Sequence, residues 1–566
     1  MQIAYKAGIF RQQVCLTPDT RSMHTLLLEL FSEEIPASMQ HLAAQNLQQA
    51  LHASVEQRFG VQVKTEILYT PRRLALLMHG IPTQTIASSE EIRGPRLDAP
   101  EAALSGFMRK YNIRSTEELV QRDGFYYHQR RQLAEPAAKG LPTLVEAAIA
   151  ALVWPKSMRW GAYKIRWVRP LHSIICMLDD EVIPAQYGPL TASNQTSGHR
   201  FLHQSNITIS SATSYKDQLQ QAYVICDSKE RQATILSAID ALLKPLQLSL
   251  IKDEDLLTEV SGLVEYPVVL LGTIPEEFMA LPPEVLITTL RNNQKYLMTC
   301  APDGALAPYF IIVSNNKAAD GGKQIIAGNR KVLVARLSDA MFFYEQDRKQ
   351  PLISRLDALK NITFQEKIGS VYEKVIATKE LANNIAPLVG AGPKLVDRAC
   401  ELAKADLTTS MVKEFPELQG IMGYHYAISE GEPEAIALAV LEHYKPLGPS
   451  DYAPKNPVSI AVALADKIYT ITCMFAADLK PTGSKDPYAL RRAAIGIIRI
   501  ILENNLDLQL STLINSPEVL AFITERFKVI CKEMLSSTPE NIGTLLAESG
   551  HDLNAVFASL KHNDSV

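Results

Sequence analysis

The apolar residues of this chain change their period once, near residue 325, and that change limits the possible folds more than any other feature. Before it, short runs rich in β-branched, aromatic and aliphatic residues alternate with stretches of helical spacing. Strand candidates lie at 26–28, 61–69, 74–78, 125–128, 174–178, 222–226, 268–271 and 309–313, with helices at 37–59 and 144–153. After it the strand signals stop and long 3.6-period stretches take over, so that the second half reads as all helix. The first is 326–348, where Val332, Leu333, Leu337, Ala340 and Phe343 or Tyr344 fall on one face. Prolines 446, 449, 454 and 457 gather in one loop and Pro481-Thr482-Gly483 marks another break. The expected fold class is multidomain α+β: an α/β body over 23–320, a helical domain over 321–499 and a further helical piece over 500–566, with 1–22 as an extension before Met23.

A chain of 566 residues with 47% hydrophobic and 21% charged residues has the composition of ordinary globular domains and enough apolar mass for several cores. Lys plus Arg (57) against Asp plus Glu (61) leaves a net charge of −4, which excludes a globally basic nucleic-acid binder; a polyanion would have to be held by a local patch. Seven scattered cysteines, an odd number without a C-x-x-C pair, predict reduced thiols and a cytoplasmic location. No run of 18 apolar residues is present, and the dense stretch 460–465 is too short to span a bilayer, so no membrane partner is expected.

The sequence carries none of the common motifs of self-contained catalysis. There is no G-x-x-x-x-G-K-[ST] phosphate loop, no H-E-x-x-H helix and no G-x-S-x-G elbow, and Gly390-Ala391-Gly392 lacks a third glycine. The strongest chemical signal is the acid-free stretch between Glu146 and Asp179. It holds Lys156, Arg159, Lys164, Arg166 and Arg169 interleaved with Tyr163 and all three tryptophans, Trp154, Trp160 and Trp167. Planar rings stack unpaired bases while cations meet phosphates, the combination that looped RNA requires. A tryptophan-rich core edge with arginines lying over the rings would give the same string. Two smaller basic-aromatic clusters repeat the theme, 69–73 with Arg72 and Arg73, and 198–203 with His199 and Arg200. In the helical half Asp406, His425, His443 and Asp466 are spaced like the scattered ligands of a metal-dependent phosphohydrolase, but the position where a His-Asp pair belongs reads Lys404-Ala405-Asp406, and an ammonium cannot ligate a metal. The bland alternative is polar residues that cap or bridge helices.

Several strings, read in order, resemble the bacterial-type glycyl-tRNA synthetase beta subunit: LLLELFSEEIP (26–36), TPRRL (70–74), PKSMRWG (155–161), RPLH (169–172), GHRF (198–201), LVEYPV (263–268), QKY (294–296), GNRKVLVARL (328–337), KADLTTSMVKEFPELQGIMG (404–423), EHY (442–444) and PTGSKDPYALRRA (481–493). The resemblance implies an α2β2 ligase that joins glycine to tRNA(Gly) with conversion of ATP to AMP and diphosphate. The adenylating site, with ATP and Mg, would lie on a separate alpha subunit, with no cofactor in this chain. It also implies an RNA-binding body, an HD-like helical domain whose metal motif has decayed, so that Asp406, His425, His443 and Asp466 hold no metal, and an anticodon-binding domain. Only the opening part of that last domain is matched, over 518–557. The residues chosen for tRNA contact are Arg72, Arg73, Lys156, Arg159, Trp160, Arg166, Arg169, His199 and Arg200, with Lys485, Arg491 and Arg492 as a second group. The rival readings are an HD-type phosphohydrolase and a structural scaffold for the alpha subunit.

Overall fold

The computed structural model describes residues 23–535 and 542–564, so the extension expected over 1–22 lies outside the described residues. The chain divides into two compact units. One comprises the described residues up to Thr273 with Lys295–Gly328; the other comprises Ile274–Gln294 and the described residues from Asn329 onward.

The first unit is built on a five-stranded antiparallel sheet. Its strands are β1 (Met23–Ser32), β2 (Lys64–Thr70), β3 (Arg73–Pro82), β4 (Leu171–Leu178) and β5 (Glu181–Val182), in the order β2-β3-β1-β4-β5. Leu26, Leu28 and Leu30 of β1 face one core, which α1 (Ala37–Phe59) covers with Leu47, Leu51 and Val55, and α2 (Ala137–Ala150) with Leu141, Val145 and Ile149. Leu27 faces a second core with Leu77, Ile175, Met177, Tyr215 and Leu219. A strand covered on both faces needs no polar alternation, which is why 26–28 is a continuous leucine run. Helix α1 starts after Pro36 and ends at Gly60, whose φ of 71° lets its N–H close on the Glu56 carbonyl at 2.9 Å. A second antiparallel sheet contains β6 (Ser249–Leu250), β7 (Val268–Thr273), β8 (Leu297–Cys300) and β9 (Leu306–Ser314), ordered β6-β8-β9-β7.

Residues 222–226 do not form the expected strand. Val224 and Cys226 are buried, but the backbone turns at Tyr223 with φ 60°. The main-chain groups here bond singly, Tyr69 N–H to the Cys226 carbonyl (3.1 Å) and Ile225 N–H to the Glu265 carbonyl (2.9 Å). The apolar run signalled burial rather than a ladder.

The second unit is predominantly helical. It centres on α8 (Pro457–Ala476), packed against α4 (Val371–Ile385), α5 (Pro393–Leu402), α7 (Glu434–Glu442) and α9 (Leu490–Glu503), while α6 (Ile421–Ser429) packs on α7. By length and apolarity α8 could cross a membrane, but most of it is buried among these helices and it carries Asp466 and Lys467 in its middle. The helical half also holds one small hairpin, Thr363–Gln365 with Gly369–Ser370, a correction to the all-helix expectation. Helix α3 (Lys323–Asp347) buries Leu333, Leu337 and Ala340 as its spacing predicted, whereas Val332 stays exposed. The six described cysteines are all free thiols.

Candidate nucleic-acid interface

After α2 the chain enters the acid-free stretch, and the structure separates its aromatics from its cations. Trp154 and Trp167 are buried in the first core, edge to face with ring centroids 5.0 Å apart. Met158 and Trp167 exchange backbone hydrogen bonds of 2.8 and 3.1 Å, closing residues 159–166 into a loop whose base is pinned by those two indoles. Gly161 takes φ 58° at the turn, a conformation that costs glycine little. The loop presents Arg159, Tyr163, Lys164 and Arg166, with Lys156 and Arg169 on its flanks; all six side chains are exposed, and Trp160 lies half-buried against the core. Among the described residues none of these five cations forms an ion pair, and no guanidinium of the stretch lies over one of its tryptophans. The reading of the arginines as covers for the rings therefore does not hold, while the core-edge reading does hold for Trp154 and Trp167.

Arg72, Arg73 and His199, chosen as tRNA contacts, lie buried inside the unit. Arg73 is fully buried, donating from Nη1 to Glu265 Oε1 (2.6 Å) and from Nη2 to the Ser197 carbonyl (2.6 Å), with Glu29 as a further ionic partner at 3.3 Å. Arg72 reaches Glu265 Oε2 (2.7 Å) and the Gly198 carbonyl (2.7 Å). Burial pushes the Glu265 carboxyl up, but the charges of Arg73 and Arg72 outweigh it and hold the pKa below its ordinary value. His199 accepts from the Phe201 and Leu202 N–H groups on Nδ1 (3.2 Å each), which places its proton on Nε2, bonded to Asn315 Oδ1 at 2.9 Å. A buried guanidinium needs a carboxylate partner to offset its desolvation, so Arg72 and Arg73 are committed to Glu265 and to the carbonyls of Gly198 and Ser197, which holds that segment against the sheet. Arg200 projects from that segment and reaches Glu34 (3.1 Å) and Glu33 (3.4 Å).

In the second unit Lys485 and Arg492 are exposed, whereas Arg491 donates to the Gly483 carbonyl at 2.6 Å. Residues 482–485 form a tight turn, followed by Asp486 accepting from the N–H groups of Leu490 and Arg491 (2.9 Å each) at the start of α9.

The four suspected metal ligands do not converge. His425 is turned to Glu284 (2.8 Å), and Asp406 accepts from the N–H groups of Gly420 (2.5 Å) and Gly423 (3.1 Å). His443 and Asp466 do line one small internal cavity, together with Lys374, Lys404 and Thr378. Asp466 there meets the ammonium groups of Lys374 (3.1 Å) and Lys404 (3.4 Å), and Lys404 also lies 3.7 Å from the Tyr444 ring centre. Burial lowers Lys404 to about 7 and Lys467 to about 8, while the surrounding lysines hold Asp466 far below the carboxylate range. His443 Nδ1 lies 2.7 Å from the Val440 carbonyl, and burial together with the Lys404 charge lowers its pKa. Two ammonium groups on the one carboxylate leave no position for a dication, and no group of three His, Cys, Asp or Glu suited to a metal occurs among the described residues. Sequence reasoning missed Lys374 and Lys467; the signal was the Asp-Lys pair in the middle of an otherwise apolar helix.

Fold and surface together define a mixed α/β unit that presents an unpaired cationic-aromatic loop, joined to a helical unit with a closed ionic centre. The family model described as glycyl-tRNA synthetase beta subunit matches residues 26–548. The glycine–tRNA ligase beta subunit of Paracoccus denitrificans is 43% identical over 94% of this chain and 80% of its own length. That of Rhodospirillum centenum is 42% identical over 96% and 81%, and that of Phenylobacterium zucineum 42% over 95% and 81%. The chain belongs to the glycyl-tRNA synthetase beta subunit family.

Proposed function

We propose that this chain is the tRNA-recognising subunit of a glycine–tRNA ligase, acting with a separate alpha subunit in an α2β2 assembly in the cytoplasm. The overall reaction converts ATP, glycine and tRNA(Gly) to glycyl-tRNA(Gly), AMP and diphosphate. The alpha subunit holds ATP, Mg and the reacting glycine. This chain presents the tRNA: its first unit is the RNA-binding body, its helical unit is an HD-like domain without a metal, and the helices near its end are part of an anticodon-binding domain.

The observation that carries this reading is the loop at 159–166 with its flanks, where Lys156, Arg159, Arg166 and Arg169 are exposed, without ion pairs among the described residues, beside Trp160 and Tyr163. Unpaired cations at the surface release counterions when they meet phosphates, and adjacent rings stack unpaired bases. Lys485 and Arg492 form the secondary group. Charging of tRNA(Gly) with labelled glycine, with this chain alone, the alpha subunit alone and the mixture, tests the proposal: product is expected only in the mixture. A mixture that forms a complex and charges normally while this chain has no affinity for tRNA(Gly) would favour the scaffold reading instead.

A further inference from the structure

Segments distant in the sequence meet at one open depression in the first unit, lined by Glu33, Glu34, Met158, Arg169, Pro170 and Arg200. Its frame is fixed from several directions. The Glu33 N–H donates to the Pro170 carbonyl (2.9 Å), the Ser32 N–H to the Arg72 carbonyl (2.7 Å), and the buried Arg72 and Arg73 hold the segment from which Arg200 projects. Glu33 is engaged by His172 (3.0 Å) and Arg200, whereas Glu34 has Arg200 alone as a charged partner among the described residues and remains 63% exposed. Arg169 stands at the rim, continuous with the cationic loop through Met158.

Carboxylates at an RNA-facing surface repel phosphates, and where they meet RNA they do so by accepting from hydrogen-bond donors on bases. The Watson–Crick edge of guanine offers two adjacent donors, N1–H and N2–H, which match the two oxygens of one carboxylate. Adenine, cytosine and uracil each set a ring nitrogen or carbonyl acceptor beside their donor and would turn a lone pair onto the carboxylate. Met158 and Pro170 give the apolar floor on which a base plane rests, and Arg169 lies where the neighbouring phosphate would pass. Resting on the tRNA-recognition reading above, we propose that this depression receives an unpaired guanine of the tRNA, with Glu34 accepting from N1–H and N2–H and Arg169 holding the adjacent phosphate.

The test uses the full chain and labelled single-stranded heptaribonucleotides, U3-G-U3, U3-A-U3 and U3-inosine-U3, in equilibrium binding, with tRNA(Gly) measured in parallel. Guanine is expected to bind about tenfold more tightly than adenine, the range set by one bidentate base contact, with inosine between them because it lacks the N2 donors. Glu34→Gln should abolish or invert the guanine preference, since an amide pairs with adenine, and Arg169→Ala should weaken all three RNAs by a similar factor. Equal binding of the guanine and adenine RNAs, or a guanine preference that survives in Glu34→Gln, overturns this proposal while tRNA(Gly) still binds. Loss of tRNA(Gly) binding by the unmodified chain overturns the underlying reading as well. Glu34 is exposed, so the variant's melting curve, expected unchanged, separates a lost contact from a lost fold.

Discussion

Arg73 and Arg169 carry the same guanidinium in opposite surroundings, and the surroundings decide what each can do. Arg73 neutralises Glu265 and Glu29 in the interior, where removing one member of an ionic cluster strands the others without solvent. Arg73→Met is expected to cost about 3–5 kcal/mol of stability in chemical denaturation of the first unit. Arg159 and Arg169 have no ion pair to lose, so Arg159→Ala and Arg169→Ala should leave the melting temperature within about 1 °C, a shift set by surface substitutions of near-zero cost, while tRNA(Gly) affinity falls. Nitrocellulose-filter binding beside calorimetry checks both halves of that statement.

At the scale of the element, α8 shows how a helix can be apolar enough for a bilayer and still serve as a core. Asp466 and Lys467 sit at its middle; Lys374 of α4 and Lys404 beyond α5 bring two ammonium groups onto the Asp466 carboxylate, and the Lys467 ammonium donates to the His443 carbonyl at 3.2 Å. Asp466→Asn is expected to cost about 3 kcal/mol or more, since it leaves the ammonium groups unpaired. Lys404→Met removes excess like charge and should be neutral or stabilising by about 1–2 kcal/mol near pH 7. The pH dependence follows from sign. With the folded-state pKa of Lys404 lowered to about 7 from its ordinary 10.5, the unfolded chain binds a proton between those values that the folded chain does not. Stability therefore rises with pH through that window, and Lys467, lowered to about 8, acts in the same direction. The advantage of Lys404→Met over the unmodified chain should shrink in thermal melts taken from pH 7 to pH 9.

For the whole molecule, binding to tRNA(Gly) is the sum of a few local contacts on a chain whose net charge is −4. With Arg72, Arg73 and His199 in the interior and Arg200 paired, four of the chosen cations remain on the loop and its flanks: Lys156, Arg159, Arg166 and Arg169. At roughly −0.7 to −0.9 per phosphate, log K against log salt should fall with a slope of about −2.8 to −3.6. A slope near zero would remove the electrostatic case for the loop. The same surface predicts that charging by the mixture of subunits loses affinity for tRNA(Gly), expressed in KM, when Arg159 and Arg169 are both replaced, with the adenylation step unchanged.

Periodicity carried much of the architecture. The bounds 37–59 coincide with α1, and the stripe Leu333, Leu337 and Ala340 is the buried face of α3, because helical spacing and apolarity are local properties. The ordered strings that carry the family include Arg72, Arg73 and Glu265 of the buried ionic cluster, Met158 at the base of the loop and Lys404 beside Asp466. What the sequence could not separate was charge used inside from charge shown outside. Arg72-Arg73 and Arg159-Trp160 are equally basic and aromatic-flanked, and only the folded chain brings Glu265, nearly two hundred residues away, onto the first pair and leaves the second open. The same holds for Asp466, whose neighbours Lys374 and Lys404 arrive from other elements and turn a suspected metal ligand into the centre of an internal ion cluster. Helical period and local composition are written residue by residue; a buried charge's partner is chosen by tertiary packing, because desolvation makes its cost depend on what lies within a few ångströms in space rather than along the chain.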